Sequence, residues 1–367
     1  QGLNVIYDTA VDGLVIETDL CSSCNKKSAF NTTLSSSYSR VGNNYILNLE
    51  DDFTYYNYTK AYNATETVFL TYPSISAAVF PFYAITSQDG KAFAEVDGIL
   101  GFARQSSSGN NQLYMEKVKS TGHVSKEQIS FYMGASTGTS YVDVGAYQAS
   151  SIKNSNVADV AWFEQKKGTF FWEFKAVQAI QFGFGRYTST GMTSGYQYGY
   201  DLEAPAIVSP GNALIYAPMG LGIELQLRMA MGLQHFYDPS SGIMIVSCNE
   251  KTWYQDFSIW IDDYEFEVLV DDYFLNMNEM LGDEATSESE DVCILGIIDD
   301  YNSTYWTLGD TFLRGYYTIL DNDDHANATM GFAPHATSDK AFVEMSRLPV
   351  ESLSNILWEL TWLAMIF

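Results

Sequence analysis

Two short turns, one in each half of the chain, hold the residues with the clearest chemical potential. Asp8 follows the apolar run Val-Ile-Tyr and begins the turn Asp-Thr-Ala, while Ser209 follows Ala-Ile-Val and begins Ser-Pro-Gly. A carboxylate is a candidate general acid or base, whereas a serine hydroxyl becomes a nucleophile only beside a base. No histidine or lysine lies near Ser209 in the sequence, so Asp8 is the stronger candidate for acid–base chemistry.

The two turns belong to an internal repeat. A Gly-Ile-Leu-Gly segment ends at Gly101, 93 residues after Asp8, and a Trp-Thr-Leu-Gly segment ends at Gly309, 100 residues after Ser209. Two motifs in the same order at nearly equal spacing predict two homologous lobes. We therefore expect the lobes to be related by a pseudo-two-fold axis, with Asp8 and Ser209 facing each other across one cleft.

The composition favours a β-rich, turn-rich and acidic protein. Of its 367 residues, 46% are hydrophobic and 15% are aromatic, which supplies a large core and suits the pleated surface of sheets. The chain has 45 acidic residues against 19 Lys and Arg residues, and its formal net charge is −26. Such a field repels nucleic acid and anionic lipid headgroups, so we exclude both as partners of the main body.

Short runs of Val, Ile, Tyr, Phe and Thr, bounded by Gly, Asn, Asp and Ser, predict mostly strands and hairpins. Helical patterns are few and fall at 113–120, 221–231 and 352–367. The stretch 251–301 carries fifteen acids and one base, which we interpret as a solvated loop and an acidic face. We divide the chain into an N-terminal lobe at 1–150, a C-terminal lobe at 151–336, and a linker with an apolar C-terminal helix at 337–367.

The two ends of the chain carry further expectations. Gln1 enters directly into a strand-like run without a signal-peptide pattern, which is typical of a processed or N-terminally incomplete product. Residues 352–367 place an apolar stripe at helical spacing, with Glu359 as the single charge, and are too short as given to span a membrane. Three roles stay open for this helix: docking on a neighbouring chain, the start of a membrane anchor, and packing on its own lobes.

The four cysteines fall into a close pair, Cys21 and Cys24, and a distant pair, Cys248 and Cys293. A Cys-x-x-Cys motif also occurs in redox sites and as half of a zinc site. No second such motif is present and the four histidines lack ligand spacing, so we favour two structural disulfides over a metal site.

Five Asn-x-Ser/Thr sequons also support an oxidising, secretory route and exposed loops that carry glycans. They begin at Asn31, Asn57, Asn63, Asn302 and Asn327. We therefore expect a secreted, extracellular or cell-surface glycoprotein without a cofactor or a metal.

Taken in order, several motifs resemble the pepsin-like family of aspartic proteases over residues 1–336. Residues 8–10, Asp-Thr-Ala, stand where the family has Asp-Thr-Gly, and 97–103, DGILGFA, are similar to its DGILGLA segment. In the second half, 306–317, WTLGDTFLRGYY, resemble the family's W-x-LGD-x-F-[LI]-R-x-YY. The resemblance implies an all-β, bilobal double β-barrel with a central cleft, few short helices and the added C-terminal helix. It also implies the disulfides Cys21–Cys24 and Cys248–Cys293.

The resemblance implies a catalytic dyad that this sequence does not complete. Aspartic proteolysis needs two carboxylates that share one proton. Asp8 supplies one, and Ser209 stands at the position of the second. Thr9 and Gly211 keep the family's residues beside the cleft, whereas Pro210 has neither a hydroxyl nor an N–H with which to lock the two turns together.

Other parts of the implied active site also depart from the family. The residues that replace its Gly and Ser beside the first carboxylate are Ala10 and Val11. In the flap, Tyr55 is kept, but the glycines after it are absent and a glycan on Asn57 would crowd the mouth of the cleft. Asp12 and Asp201 are alternative second acids, although neither lies at the tip of the second turn.

The leading hypothesis is a pepsin-fold pseudoprotease that serves as a binding or structural module for a protein or peptide, with glycan as a further candidate ligand. Two alternatives stay open: a divergent active aspartic endopeptidase that uses Asp8 and an unidentified second acid, and an inhibitor or glycan-binding protein on the same fold. The fold by itself does not choose among these functions.

Overall fold

The computed structural model describes the chain mainly as strands in four sheets. The described residues are 1–24, 29–47, 59–70, 75–87, 96–106, 112–134, 139–165, 168–188, 191–218, 236–238, 242–262, 264–278, 292–300, 302–340 and 344–345. Within these ranges the α-helices are Tyr114–Ser120 (α1), Val270–Tyr273 (α2) and Asp310–Leu313 (α3). Short 3-10 helices span Ala149–Ser151, Lys153–Ser155, Val157–Asp159 and Cys248–Trp253. This content confirms the predicted all-β class with few helices.

The first half of the chain builds a six-stranded sheet that carries Asp8. In spatial order its strands are Val5–Asp8 (β1), Gly98–Gly101 (β6), Leu14–Glu17 (β2), Ile75–Ser87 (β5), Thr59–Leu70 (β4) and Ser39–Leu47 (β3). Strand β6 lies parallel to β1, with Asp8 opposite Gly101, and antiparallel to β2. The Gly-Ile-Leu-Gly motif therefore supports the Asp8 turn from one side.

The second half of the chain builds an eight-stranded sheet that carries Ser209 just beyond one strand end. Its strands, in spatial order, are Ile297–Asp300 (β19), Ile215–Pro218 (β12), Trp306–Leu308 (β20), Gly191–Val208 (β11), Glu173–Thr188 (β10), Phe257–Ile261 (β15), Tyr264–Val268 (β16) and Glu344–Met345 (β23). Strand β20 lies parallel to β11, with Val208 opposite Leu308, and antiparallel to β12. The strands around the second turn thus repeat the arrangement around Asp8.

Gly101 and Gly309 allow strands β6 and β20 to lie close to the two turns. A Cβ added to Gly101 would lie 2.1 Å from the Val11 carbonyl oxygen, and one added to Gly309 would lie 2.4 Å from the Leu214 carbonyl oxygen. Both distances are far inside van der Waals contact, so a side chain at either position would force the motif strand away from the turn. The internal repeat therefore reflects one steric requirement met twice.

The described residues form two smaller sheets as well. A five-stranded sheet joins the halves of the chain and contains Tyr141–Val144 (β8), Gln128–Tyr132 (β7), Tyr316–Asp321 (β21), Thr329–Pro334 (β22) and Ala161–Glu164 (β9). A four-stranded sheet contains Phe236–Asp238 (β13), Ile243–Ser247 (β14), Val292–Leu295 (β18) and Phe274–Asn276 (β17). The predicted lobe boundary at residue 150 falls between β8 and β9 of the joining sheet, and it stays a prediction.

Aromatic side chains fill the space between the joining sheet and the eight-stranded sheet. Phe163 lies 4.9 Å from Phe174 between ring centroids, and Phe332 lies 5.3 Å from Phe174 and 5.7 Å from Phe266. All four rings are buried. Such edge-to-face and tilted contacts stabilise a core beyond the area that they bury, so these four rings help to hold the two sheets together.

The acidic stretch 251–301 is not a solvated loop over its described part, so that prediction is wrong there. It contains strands β15 to β19 and helix α2. In β16, Phe266 and Val268 are buried, while the intervening Glu265 and Glu267 are only half-buried. Because side chains alternate between the two faces of a strand, acids occupy one face while the other joins the core. Residues 279–291 lie outside the described residues.

Both predicted disulfides are present, with Cα atoms 5.5 Å apart in Cys21–Cys24 and 5.0 Å apart in Cys248–Cys293. These pairings confirm the disulfide interpretation. Four of the predicted sequon asparagines are described: Asn31 and Asn63 are half-buried, and Asn302 and Asn327 are exposed. The fifth, Asn57, lies outside the described residues.

The chain continues to make contacts after residue 336. Lys340 is fully buried, its Nζ lying 3.2 Å from the Asp272 carboxylate and 3.3 Å from the Phe312 carbonyl oxygen. Strand β23 then pairs with β16 at the edge of the eight-stranded sheet. The predicted helix at 352–367 lies outside the described residues. In the part of the chain that is described, no helix has the length and apolar character that crossing a bilayer requires.

Candidate functional site

The structure brings the two turns predicted from the internal repeat into direct contact. The Ser209 hydroxyl donates a hydrogen bond to Asp8 Oδ1 over 3.1 Å, although 201 residues separate the two in sequence. Ser209 is completely buried and Asp8 is only 6% exposed. The predicted carboxylate and the predicted hydroxyl therefore belong to one buried site.

Backbone groups on both sides of Asp8 hold its turn in place. The Ala10 N–H donates to Asp8 Oδ1 over 2.8 Å, which folds the turn around the carboxylate. The Phe102 N–H, just after strand β6, donates to the Asp8 carbonyl oxygen over 2.6 Å. The carboxylate is thus fixed by its own turn and by the end of the Gly-Ile-Leu-Gly strand.

A second contact between the turns runs through Thr9. Its hydroxyl, fully buried, donates to the backbone carbonyl oxygen of Val208. The corresponding position of the other turn is Pro210, whose side chain has no hydroxyl and whose nitrogen carries no hydrogen. Pro210 therefore cannot return the contact that Thr9 makes.

Gly211 packs directly on the carboxylate of the other turn. A Cβ added to Gly211 would lie 2.8 Å from Asp8 Cγ and 2.9 Å from Asp8 Oδ2. The absence of a side chain therefore permits the observed separation of the turns. Gly211 thus lies beside Asp8, and its role at a cleft stays a prediction.

Asn212 is a site residue that the sequence prediction missed. Its Nδ2 donates to Ser209 Oγ over 3.0 Å, and the side chain is buried. The one available signal was a lone amide in the otherwise apolar segment after the Ser-Pro-Gly turn. That signal has a common structural explanation in turn formation, so it did not identify a contact with Ser209.

Burial dominates the electrostatics of Asp8. Loss of solvent raises the pKa of this carboxyl group, while hydrogen bonds from the Ala10 N–H, the Ser209 hydroxyl and the Thr9 N–H lower it. Burial has the largest effect because the ionised form loses its hydration. A proton therefore remains on Asp8 at higher pH than on an ordinary aspartate.

Three further candidates, Tyr55, Asp12 and Asp201, lie at other positions along the chain. Tyr55 of the predicted flap lies outside the described residues. Asp12 is buried four residues beyond Asp8, and Asp201 lies within β11, opposite Ala179 in the strand register. Ser209 occupies the tip of the second turn, where the family resemblance implies the second acid.

Two turns in contact, each supported by a repeated arrangement of three strands, define a pepsin-like bilobal protein. The family model described as eukaryotic aspartyl protease matches residues 1–335. The chain belongs to the eukaryotic aspartyl protease family.

Curated relatives are similar over nearly the whole chain. Gastricsin from Oryctolagus cuniculus is 25% identical over 349 residues, which cover 91% of this chain and 78% of the relative. Pepsin-3 from the same organism is 25% identical over 350 residues, with 92% and 78% covered. Cathepsin D from Dictyostelium discoideum is 24% identical over 342 residues, with 91% and 80% covered. At this identity the fold and the family carry over, and the chemistry has to be argued from the site itself.

Proposed function

We propose that this chain is a pseudoprotease, a pepsin-like body that binds a protein or peptide in its cleft without hydrolysing it. The observation that carries the proposal is the hydrogen bond between Ser209 and Asp8, which occupies the place where the chemistry needs two acids. In aspartic proteolysis one carboxylate activates water while a partner acid donates to the substrate carbonyl. A serine hydroxyl does not ionise at working pH, so it cannot share a proton with Asp8 in this way.

The surroundings of Ser209 support the same proposal. Its hydroxyl accepts from Asn212 and donates to Asp8, so its single proton and one of its two lone pairs are used within the protein. Neither contact leaves the hydroxyl proton available to a substrate. Activation of Ser209 as a nucleophile would require a base that takes this proton and a free path from its oxygen to the substrate, and Ser209 is completely buried.

A secretory, glycosylated form of the protein is part of the proposal. Two disulfides are typical of proteins that mature in an oxidising compartment. Asn302 and Asn327 are exposed and can accept a glycan without unfolding the body. Removal of N-glycans from protein secreted by eukaryotic cells should lower its apparent mass on a denaturing gel, and the double variant Asn302→Gln with Asn327→Gln should reduce that difference.

The absence of hydrolysis is tested by incubating the purified chain with a denatured protein substrate at acid pH. We expect no cleavage above that of the Asp8→Asn variant, because removing a catalytic group from an aspartic dyad costs many powers of ten in rate. Cleavage that Asp8→Asn abolishes would refute the proposal and would support the alternative of an active endopeptidase with an unidentified second acid.

The binding half of the proposal needs a separate measurement. The immobilised chain is mixed with a library of short random peptides, and the retained peptides are identified by mass spectrometry after prolonged incubation. We expect a defined set of peptides to be recovered at full length. Recovery of truncated peptides would indicate hydrolysis, and retention of no peptide would refute the cleft as a peptide-binding site.

A further inference from the structure

We infer that Asn212 is a positioning residue that fixes the Ser209 hydroxyl as a hydrogen-bond donor to Asp8. This inference concerns the site of the proposed pseudoprotease, and its functional meaning rests on that proposal. It adds to the proposal the residue that sets the direction of the hydrogen bond between the two turns.

The chemistry of the three groups sets the direction of the chain of hydrogen bonds. Asn212 Nδ2 carries hydrogens and can only donate, so Ser209 Oγ accepts at their 3.0 Å contact. The single hydrogen of the Ser209 hydroxyl is then free to point at Asp8 Oδ1, 3.1 Å away. The carboxylate of Asp8 accepts in its ionised form. The two donors, Asn212 Nδ2 and the Ser209 hydroxyl, therefore both belong to the second turn, and the last hydrogen bond is accepted in the first turn by Asp8.

The backbone of Asn212 is held so that its side chain meets Ser209. Its N–H donates to the Ser209 carbonyl oxygen over 3.1 Å, and its own carbonyl oxygen accepts from the Asp310 N–H over 2.6 Å. A Cβ added to Gly309 would lie 2.5 Å from the Asn212 carbonyl oxygen, which shows how closely the motif strand abuts this residue. The amide is thus presented from a fixed backbone, and the side chain is only 7% exposed.

Without the Asn212 amide, the Ser209 hydroxyl loses the donor that occupies one of its two lone pairs. A hydroxyl rotates to suit its neighbours, so it would then point at Asp8 for only part of the time. A hydrogen bond to the charged form of an acid favours that form. The ionised form of Asp8 therefore depends on Asn212 through Ser209, although Asn212 is not described as bonded to Asp8 itself.

Nuclear magnetic resonance of protein labelled at the aspartate carboxyl carbons can follow the titration of Asp8, whose signal is assigned by its loss in Asp8→Asn. We expect Asn212→Ala to shift the midpoint for Asp8 upward by roughly half to one pH unit, the size expected from weakening one hydrogen bond to a carboxylate. Asn212→Ser has a side chain too short to span the contact and should shift the Asp8 midpoint in the same direction. It provides the same test if Asn212→Ala does not fold.

Two comparisons separate positioning from general destabilisation. In the Ser209→Ala background, Asn212→Ala should leave the Asp8 midpoint unchanged, because the intermediary is gone. The matched control is Asn322→Ala, which removes another buried asparagine whose Nδ2 donates one hydrogen bond, to the Arg104 carbonyl oxygen over 3.0 Å. This control should lower stability and leave the Asp8 midpoint in place.

An equal shift by Asn212→Ala with and without Ser209 would overturn the inference, and so would no shift in either background. The titration is read without any substrate, so its outcome is independent of the hydrolysis test. Cleavage by the wild-type chain together with the expected titration would refute the proposed function and leave Asn212 as the positioning residue. Absence of cleavage together with an Asp8 midpoint that Asn212→Ala does not move would support the proposed function and refute Asn212 as the positioning residue.

Discussion

Gly211 lies against the carboxyl group of Asp8, so close that a Cβ at Gly211 would be 2.8 Å from Asp8 Cγ. The contact joins residues from opposite halves of the chain by close packing. The hydrogen bond from Ser209 to Asp8 and the one from Thr9 to Val208 lie beside it. The separation of the two turns is therefore set by sterics at one position and by directed hydrogen bonds at two others.

The first prediction concerns that close approach. Gly211→Ala should separate the turns and lower the free energy of unfolding by about 1–3 kcal/mol, the usual cost of inserting a methyl group into a packed interior. Chemical denaturation of the full chain measures the change. Gly2→Ala is the matched control, because a Cβ there has no atom within 4 Å, and it should leave stability unaltered. Equal stability of both variants with the wild type would contradict the described contact.

The second prediction concerns Ser209→Asp, which restores the expected acid at the second turn. The new carboxyl group would meet a buried carboxylate, so the pair would hold one proton and one of the two pKa values would rise above that of an unfolded aspartate. The folded state then binds more protons than the unfolded state, and its stability falls as pH rises from about 4 toward 7. Melting temperatures measured across this range should show a steeper decline than those of the wild type.

Ser209→Asn is the control for this variant, because it has nearly the same shape and no charge. Its melting temperature should not acquire the additional pH dependence. We also expect Ser209→Asp to remain inactive toward a denatured protein, since Pro210, Ala10 and Asn212 still surround the pair. Hydrolysis by Ser209→Asp would show that this one substitution restores activity and that Pro210, Ala10 and Asn212 do not prevent it.

The third prediction follows from the raised pKa of Asp8, which has burial as its main cause. A folded pKa above the unfolded value contributes stability at low pH that is lost as pH rises through the folded pKa. Asp8→Asn keeps an acceptor at Oδ1 for Ala10 and Ser209 and removes the titration. The melting temperature of Asp8→Asn relative to wild type should therefore increase from acid to neutral pH. Asp339→Asn, at an exposed position, is the control for the loss of a carboxyl group as such.

Much of the fold could be predicted because its signals repeat along the chain. Apolar runs and the spacing to Gly101 and Gly309 predict the Asp8 and Ser209 turns, and the structure pairs β1 with β6 beside the first turn and β11 with β20 beside the second. The disulfides followed from a close and a distant cysteine pair. These features depend on backbone sterics and covalent chemistry, which limit the residues that each position accepts.

Polar contacts across the fold could not be predicted in the same way. Asn212 contacts Ser209 within one turn, yet its importance depends on Asp8, which the other half of the chain supplies. Lys340 falls within the predicted linker, although lysine is seldom fully buried without a partner. Its burial depends on Asp272, Phe312 and Tyr316, which are distant in the sequence. A local sequence pattern gives the position of a polar residue but not the distant residue that it contacts in the fold.

The last prediction concerns the anchor of the segment after residue 336. Burial raises the pKa of Asp272 and lowers that of Lys340, while their mutual attraction opposes both shifts. Lys340 also lies 4.3 Å over the ring of Tyr316. Lys340→Met would leave the Asp272 carboxylate buried without its cation, which typically costs about 3–5 kcal/mol. Denaturant unfolding of the full chain measures this loss.

Lys126→Met is the matched control, since Lys126 is 51% exposed and lies 4.0 Å from the carboxylate of Asp321. Lys126→Met should lower the free energy of unfolding by about 1 kcal/mol or less, as is usual for the loss of an exposed ion pair. Adding Asp272→Asn to Lys340→Met should recover part of the stability, because it removes the stranded charge. A chain shortened after Met345 keeps this anchor and should unfold like the full chain, whereas one shortened after Asp339 should lose stability as Lys340→Met does. Equal stability of the two shortened chains would refute a role for Lys340 in holding this segment to the body.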